Sequence, residues 1–141
     1  MMSTRSTIST MINGKCVGVY AHWDGYPSHR IPLLLNHYNS QEGAESIVAL
    51  GSISSLRERI APNEDENHSF DSPVGDVTIA YHRDRGEDFE QIKGKNKNAY
   101  TQMEEFAYHF ESGEWWYNDN HYTTIEWKKC SEYIQSEHDE Y

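Results

Sequence analysis

The dipeptide Asn13-Gly14, set between STISTMI and KCVGVYA, constrains this chain more than any other feature. A type I′ turn needs positive φ at both central positions, and Asn-Gly meets that need at little steric cost. The flanking residues alternate, which predicts two antiparallel strands joined by a two-residue turn. In that register Ile8, Ile12, Val17 and Val19 share one face, while Met11, Cys16 and Tyr20 share the other. The second strand then delivers its end into HWDGYP.

Helical spacing follows. Ile31, Leu34, Leu35 and Tyr38 fall at i, i+3, i+4 and i+7, with Pro32 expected in the first turn, where a missing N–H loses no partner. Ala44, Ile47 and Val48 predict a second amphipathic helix with Gly51 at its C-terminal end. Ser55-x-x-Glu58 has the form of a capping box opening a further helical turn. Residues 61–76 are polar and broken by two prolines, and read as a mobile loop. DVTIAYHRDRG reads as a strand, with Val77, Ile79 and Tyr81 alternating against Thr78, Ala80 and His82. KGKNKN is a basic, turn-rich loop. Phe106, Tyr108 and Phe110 share a strand face, Ser112-Gly113 reverses the chain, and Trp115 and Trp116 must face opposite ways. Thr123-x-x-Glu126 followed by Trp127, Cys130 and Ile134 predicts a last helix, and residues 136–141 an acidic, frayed tail. The order predicts one α+β domain over residues 1–141. Its sheet is mainly antiparallel (N-terminal hairpin, central strand, C-terminal hairpin) and packs with two to four short helices.

Composition supports a folded chain. Mean hydropathy is −0.87, but 13% of the 141 residues are aromatic, and each buried aromatic removes a large area from water. The net charge of −11 is uneven: residues 1–60 carry five Lys/Arg against four Asp/Glu, residues 61–141 seven against nineteen. Such an acidic chain repels nucleic-acid backbones and membrane surfaces, so direct nucleic-acid binding is not expected. Cys16 and Cys130 give neither a disulfide framework nor a zinc signature, which points to a reducing cytoplasm. No apolar run approaches ~20 residues, and MMSTRSTIST lacks the apolar centre of a secretory signal.

Two clusters carry chemistry. His22, Trp23, Asp24, Tyr26 and His29 crowd the first; if the strand persists, His22 and Asp24 point to one side. His82, Arg83, Asp84 and Arg85 form the second, where a strand end would set two guanidiniums on one side for bidentate recognition of an anion. Together they would make an aromatic floor with cationic clamps, suited to a nucleotide-like ligand. Folding alone offers competing accounts: Asp24-Gly25 as a turn, Tyr26-Pro27 as an extended lead into the helix, and the arginines as salt-bridge partners. No metal-binding helix signature or nucleophile elbow occurs, so neither metal nor cofactor is expected.

YAHWDGYP, LLLNHYNS, IVALGSISSL and VTIAYHRDRGE, taken together, resemble a family of small proteins encoded by tailed bacteriophages, with relatives in some bacterial genomes. The resemblance covers most of residues 3–90, and GEWWY fits the family's last part; after Pro27, SHRIP replaces a glycine-containing step. It brings no established activity, and implies a phage origin and a setting in the host-cell cytoplasm. The leading expectation is therefore a non-enzymatic antagonist of a host system, in the manner of an anti-defence inhibitor. Such a protein would bind a host protein or sequester a small nucleotide-like signal. One alternative is an acidic DNA mimic in residues 61–141 that inhibits a host nucleic-acid enzyme. Another is a small hydrolase or transferase using His22, Asp24, His82 and Asp84. Exposed aromatics also allow a homo-oligomer, though no heptad or symmetric signature fixes a number.

Overall fold

The computed structural model of the protein describes residues 3–133. In chain order its elements are β1 (Ser6–Ile12), β2 (Lys15–Ala21), α1 (Pro27–His37), α2 (Gln41–Val48), β3 (Ile53–Ser55) and β4 (Ile79–Ala80). There follow α3 (Tyr81–Arg85), β5 (Ile92–Gly94), a 3₁₀ turn (Lys97–Tyr100), β6 (Phe106–Glu111), β7 (Glu114–Asp119), β8 (Lys128–Lys129) and a second 3₁₀ turn (Cys130–Glu132). The strands form one sheet in the order β4-β3-β2-β1-β6-β7-β8, with β5 pairing the start of β2. β1 runs parallel to β6 and β2 parallel to β3, while the other pairs are antiparallel. The α+β class with a mainly antiparallel sheet is as the sequence predicts.

Local chemistry explains both hairpins. Asn13 and Gly14 have φ of 51° and 79°, and Ser112 and Gly113 have 57° and 83°, the paired left-handed conformations that match the twist of the flanking strands. The first turn sets Ile8 against Val19 and Thr10 against Val17, the register that the alternation requires. Helix α1 opens with Pro27 in its first turn behind an extended Tyr26, and Ser40 caps α2 by accepting the Gly43 N–H at 2.9 Å.

The two helices cover one face of the sheet. Ile31 and Leu34 of α1 and Ala44, Ile47 and Val48 of α2 pack with Ile8, Val19, Tyr108, Phe110 and Trp115. Each of the larger aliphatic and Phe side chains among them contributes roughly 1.5–3 kcal/mol by leaving water. Trp115 also donates its indole N–H to the Tyr38 carbonyl at 3.0 Å, closing the C-terminal end of α1 onto the sheet. The opposite face holds a smaller cluster of Cys16, Tyr100 and Ala107, with Met11, Ile92, Ala99 and Trp127 packed around it. No helix among the described residues is long and apolar enough to cross a membrane.

Several local expectations are corrected. Helix α1 starts at Pro27, so Pro32 lies within the helix rather than in its first turn and leaves the Ser28 carbonyl without its usual partner. Ser55 belongs to β3, and no helix follows it. Tyr81–Arg85 is a short helix ended by Gly86 at φ 75°, not the end of a strand. No helix spans Thr123–Tyr133: Trp127 packs with the smaller cluster and Cys130 with the main core, on opposite faces of the sheet. Ile134 and residues 136–141 lie outside the described residues. Residues 61–76 are irregular but fastened, because Arg59 pairs with both Glu66 (2.9 Å) and Asp76 (2.7 Å).

Gly18 exposes how the smaller cluster is built. A Cβ there would stand 2.7 Å from Cε1 of Tyr100, whose hydroxyl is tied to the Ile92 carbonyl at 2.7 Å. Gly18→Ala is therefore expected to displace Tyr100 and destabilise the protein by about 1–3 kcal/mol. Urea unfolding with the near-ultraviolet tyrosine signal measures this, and an unchanged midpoint would refute the packing described.

Candidate functional site

The backbone of HWDG is a clasp. The His22 and Trp23 N–H groups donate to the Ile53 and Ser54 carbonyls of β3 at 3.0 Å each, and Gly25 N–H donates to the Thr4 carbonyl at 2.8 Å. The Gly25 carbonyl accepts the Tyr108 hydroxyl at 2.6 Å, and the Trp23 carbonyl accepts Nη2 of Arg30 at 3.1 Å. Gly25 sits so close to Ser6 that a Cβ would approach its Oγ at 2.7 Å. Strand β2 ends at Ala21 and Asp24 takes φ 58°, so the expected alternation of His22 and Asp24 does not continue. His22 instead receives the Tyr20 hydroxyl on Nδ1 at 2.6 Å, and its ring meets the Trp23 ring edge-on at 4.7 Å. Burial pushes the Tyr20 phenol up. The clasp leaves Trp23 and Tyr26 outward, 39% and 41% exposed, with His29 tilted against Tyr26 at 5.7 Å.

The second cluster is occupied with its own chain. Because Tyr81–Arg85 is helical, Arg83 and Arg85 do not share a side as they would on a strand. Arg83 donates Nη1 to the Ile60 carbonyl (2.6 Å), Nη2 to the Thr78 carbonyl (2.5 Å) and Nε to Asp84 (2.8 Å). Asp84 also accepts the Ala80 N–H at 2.8 Å and Nε2–H of His68 at 3.2 Å. Burial pushes the Asp84 carboxyl up, but bonds from Arg83, Ala80 and His68 outweigh that and hold it below its usual range. Arg85 stacks over Phe70 at 4.1 Å and pairs with Glu87, while His82 donates Nδ1–H to the Glu87 carbonyl at 2.7 Å. The two motifs flank β3: Tyr81 N–H donates to Ser52 as His22 and Trp23 donate to Ile53 and Ser54. No hydrogen bond, ion pair or ring contact joins Tyr20–His29 to Tyr81–Arg85 among the described residues.

Tyr26 instead faces a different partner. Two short helices, each about 10 Å wide, cannot cover a path of seven strands roughly 29 Å across. Where α1 begins, a groove of about 750 Å³ opens between Tyr26–Ser28 and β7 with the segment that follows it. Aromatic groups dominate its walls: Tyr26, Phe106, Tyr117, Tyr122 and Tyr133. Its charged groups are Asp119, Glu126 and Lys128. Asp119 accepts Nδ1–H of His121 at 2.6 Å, and this bond raises the pKa of the His121 imidazole. The Glu126 N–H is anchored on Asn118 Oδ1 at 2.8 Å, and its carboxylate has no hydrogen bond or ion pair among the described residues. Tyr117 and Asp119 alternate on a strand and so share a face, but no spacing in the sequence announces that Tyr26 meets them.

One further constellation escaped the sequence reading. On the opposite sheet face the Ser9 hydroxyl lies 2.8 Å from His109 Nδ1, and His109 Nε2 lies 2.8 Å from Glu111 Oε1. Cys16 Sγ stands 3.9 Å from the same Nδ1. The order is that of a nucleophile, a base and an orienting acid. However, Ser9 and His109 are buried, Tyr100 and Trp127 pack over this region, and burial pushes the Cys16 and Cys130 thiols up. The chain of bonds works as a polar staple between β1 and β6. Its only sequence trace is His109 and Glu111 two apart on one strand. Among the described residues, no group of three or more His, Cys, Asp or Glu is arranged to hold a metal ion.

Compared with family models, curated proteins and solved structures, the chain matches none.

The staple generates a pH dependence. Burial lowers the His109 imidazole below its ordinary 6.5, against an opposing pull from Glu111. Below pH 6.5 the unfolded chain takes up a proton that the folded imidazole resists, so stability declines as pH falls through that window. His109→Gln is expected to flatten this acid-side decline while losing about 1–3 kcal/mol at pH 7. Parallel urea titrations of both proteins between pH 7 and about 5 compare the slopes; identical slopes would exclude His109 as the source.

Proposed function

We propose that this chain is a non-enzymatic binding protein encoded by a tailed bacteriophage, acting in the host-cell cytoplasm as an antagonist of a host defence system. It acts by docking a host protein in the groove between Tyr26 and β7. The groove carries this reading, because it joins an exposed aromatic of the HWDGYP motif to four further aromatic side chains. Aromatic-rich concave surfaces are a common anchor for protein partners. The phage origin rests on the resemblance of HWDGYP and YHRDRGE, and only the groove speaks to the mode of action.

The same observations weigh against the other expectations. A phosphate-bearing signal in the groove would face Asp119 and Glu126, while Arg83 and Arg85 are engaged within the chain. A DNA mimic needs free carboxylates in phosphate-like array; Glu66, Asp76, Asp84 and Glu87 are each paired with an arginine, and the exposed Glu64, Asp65, Asp71, Asp88 and Glu90 sit on turns and loops rather than on a helix or strand that would space them regularly. A His/Asp enzyme needs its groups to meet at one open site, and Asp84 is enclosed by its own partners.

The test is a phage-plating assay in bacterial strains that each carry one defence system. Wild-type protein is expected to restore plating in at least one strain, and Tyr26→Ala with Tyr122→Ala to abolish the effect at an unchanged unfolding midpoint. Full antagonism by the double variant would overturn the groove as the acting surface. Relief in no strain would overturn the anti-defence reading, and recovery of a chemically altered nucleotide would replace it with an enzyme.

A further inference from the structure

We propose that the groove recognises a cationic side chain, with an arginine of the docked host protein as its occupant. This deepens the reading above and rests on it. The groove combines aromatic faces with two carboxylates, one paired with His121 through a single oxygen and one with no partner among the described residues. Both bonds from His121 to Asp119 land on Oδ1, so Oδ2 has no partner among the described residues. Glu126 is anchored through its backbone alone, which fixes where its carboxylate can reach without neutralising it. Tyr122 is 71% exposed and Tyr26 41% exposed, so each has ring surface still open to a ligand.

Chemistry narrows the occupant. An anion would meet two carboxylates at close range. A wholly apolar side chain would take water from those carboxylates without replacing its hydrogen bonds. A cation satisfies both features at once, by pairing with carboxylate oxygen and lying on tyrosine faces. Arginine fits better than lysine, because its planar guanidinium stacks on rings and bonds carboxylates in a fixed fork. The net negative charge of residues 61–141 favours approach of such a partner. Lys128 is the one cation on the described wall and partly offsets the carboxylates, so its removal should strengthen binding.

The experiment titrates the full protein with acetyl-Ala-Arg-Ala-amide, its neutral citrulline analogue and free spermidine, following the ring resonances of Tyr26 and Tyr122. Phe89, which does not line the groove, is the control. The arginine peptide is expected to give saturable shifts at both tyrosines. Binding should weaken about tenfold with citrulline and with the Asp119→Asn, Glu126→Gln double variant, and tighten severalfold in Lys128→Ala. Dispersed spectra and an unchanged unfolding midpoint establish that the variants fold. Equal binding of citrulline, indifference to the double variant, or no saturable shift overturns the cation site. Tighter binding of spermidine than of the peptide assigns the site to a free polyamine and overturns the protein occupant. Loss of antagonism in the Tyr26/Tyr122 variant without cation binding sinks this inference and spares the proposed function; cation binding with antagonism intact in that variant does the reverse.

Discussion

A buried guanidinium holds one end of this molecule together. Arg30 is fully buried, and no carboxylate lies within ion-pair distance among the described residues. Its Nη1 donates to Ser6 Oγ at 2.9 Å, its Nη2 to the Trp23 carbonyl at 3.1 Å, and the group lies 5.7 Å from the centre of the Tyr108 ring. Its Nε has no partner. Burial pulls its pKa below the ordinary arginine value, with Tyr108 and Asp24 pulling the other way. A charge so poorly compensated weakens the fold in isolation. What it secures is geometry: one side chain ties α1, β1 and the turn at Trp23 together beside β6. The position of Tyr26 at the start of α1, and so one wall of the groove, depends on that tie.

Much of the scaffold was legible because its signals are local. Asn13-Gly14 declares its turn through residues that adopt it cheaply, and Ser112-Gly113 through the glycine of its pair. Ala44, Ile47 and Val48 declare a helix face, and Phe106, Tyr108 and Phe110 a strand face, through period alone. The failures are equally physical. Tyr81–Arg85 extends the alternation of Val77 and Ile79, and five residues are too few to display a helical period. Its helix is held by carbonyls outside it, those of Thr78 just before it and of Ile60 farther back, which receive Arg83. Trp127 and Cys130 mimic one helical face by spacing while serving two separate cores. The groove was invisible because Tyr26 and β7 lie about ninety residues apart and meet only through the order of the sheet.

The density of HWDGYP also becomes intelligible. Its backbone is consumed by β1, β3, β6 and α1, which explains the small Gly25, the left-handed Asp24 and the proline that opens the helix. Its aromatic side chains are then presented by a backbone hydrogen-bonded on several sides. Rigid presentation of large amphipathic side chains reduces the ordering that binding would otherwise require. The structural role of this segment thus falls to its main chain, which leaves the side chains of Trp23 and Tyr26 facing outward.

The parallel pairing of β1 with β6 has a further consequence during synthesis. Ser6 must await Phe106 and Thr10 must await Phe110. At ordinary ribosomal speeds of about 5–20 residues per second, the interval is roughly 5–20 seconds. Until then one edge of β1 has no strand to pair with and is open to other chains. Ser6, Thr7, Ser9 and Thr10 belong to that strand, and these short hydroxyl side chains can hydrogen-bond water until the finished fold buries them. The polar character of this central strand, awkward for a finished core, suits a nascent chain that must stay unassociated while it waits.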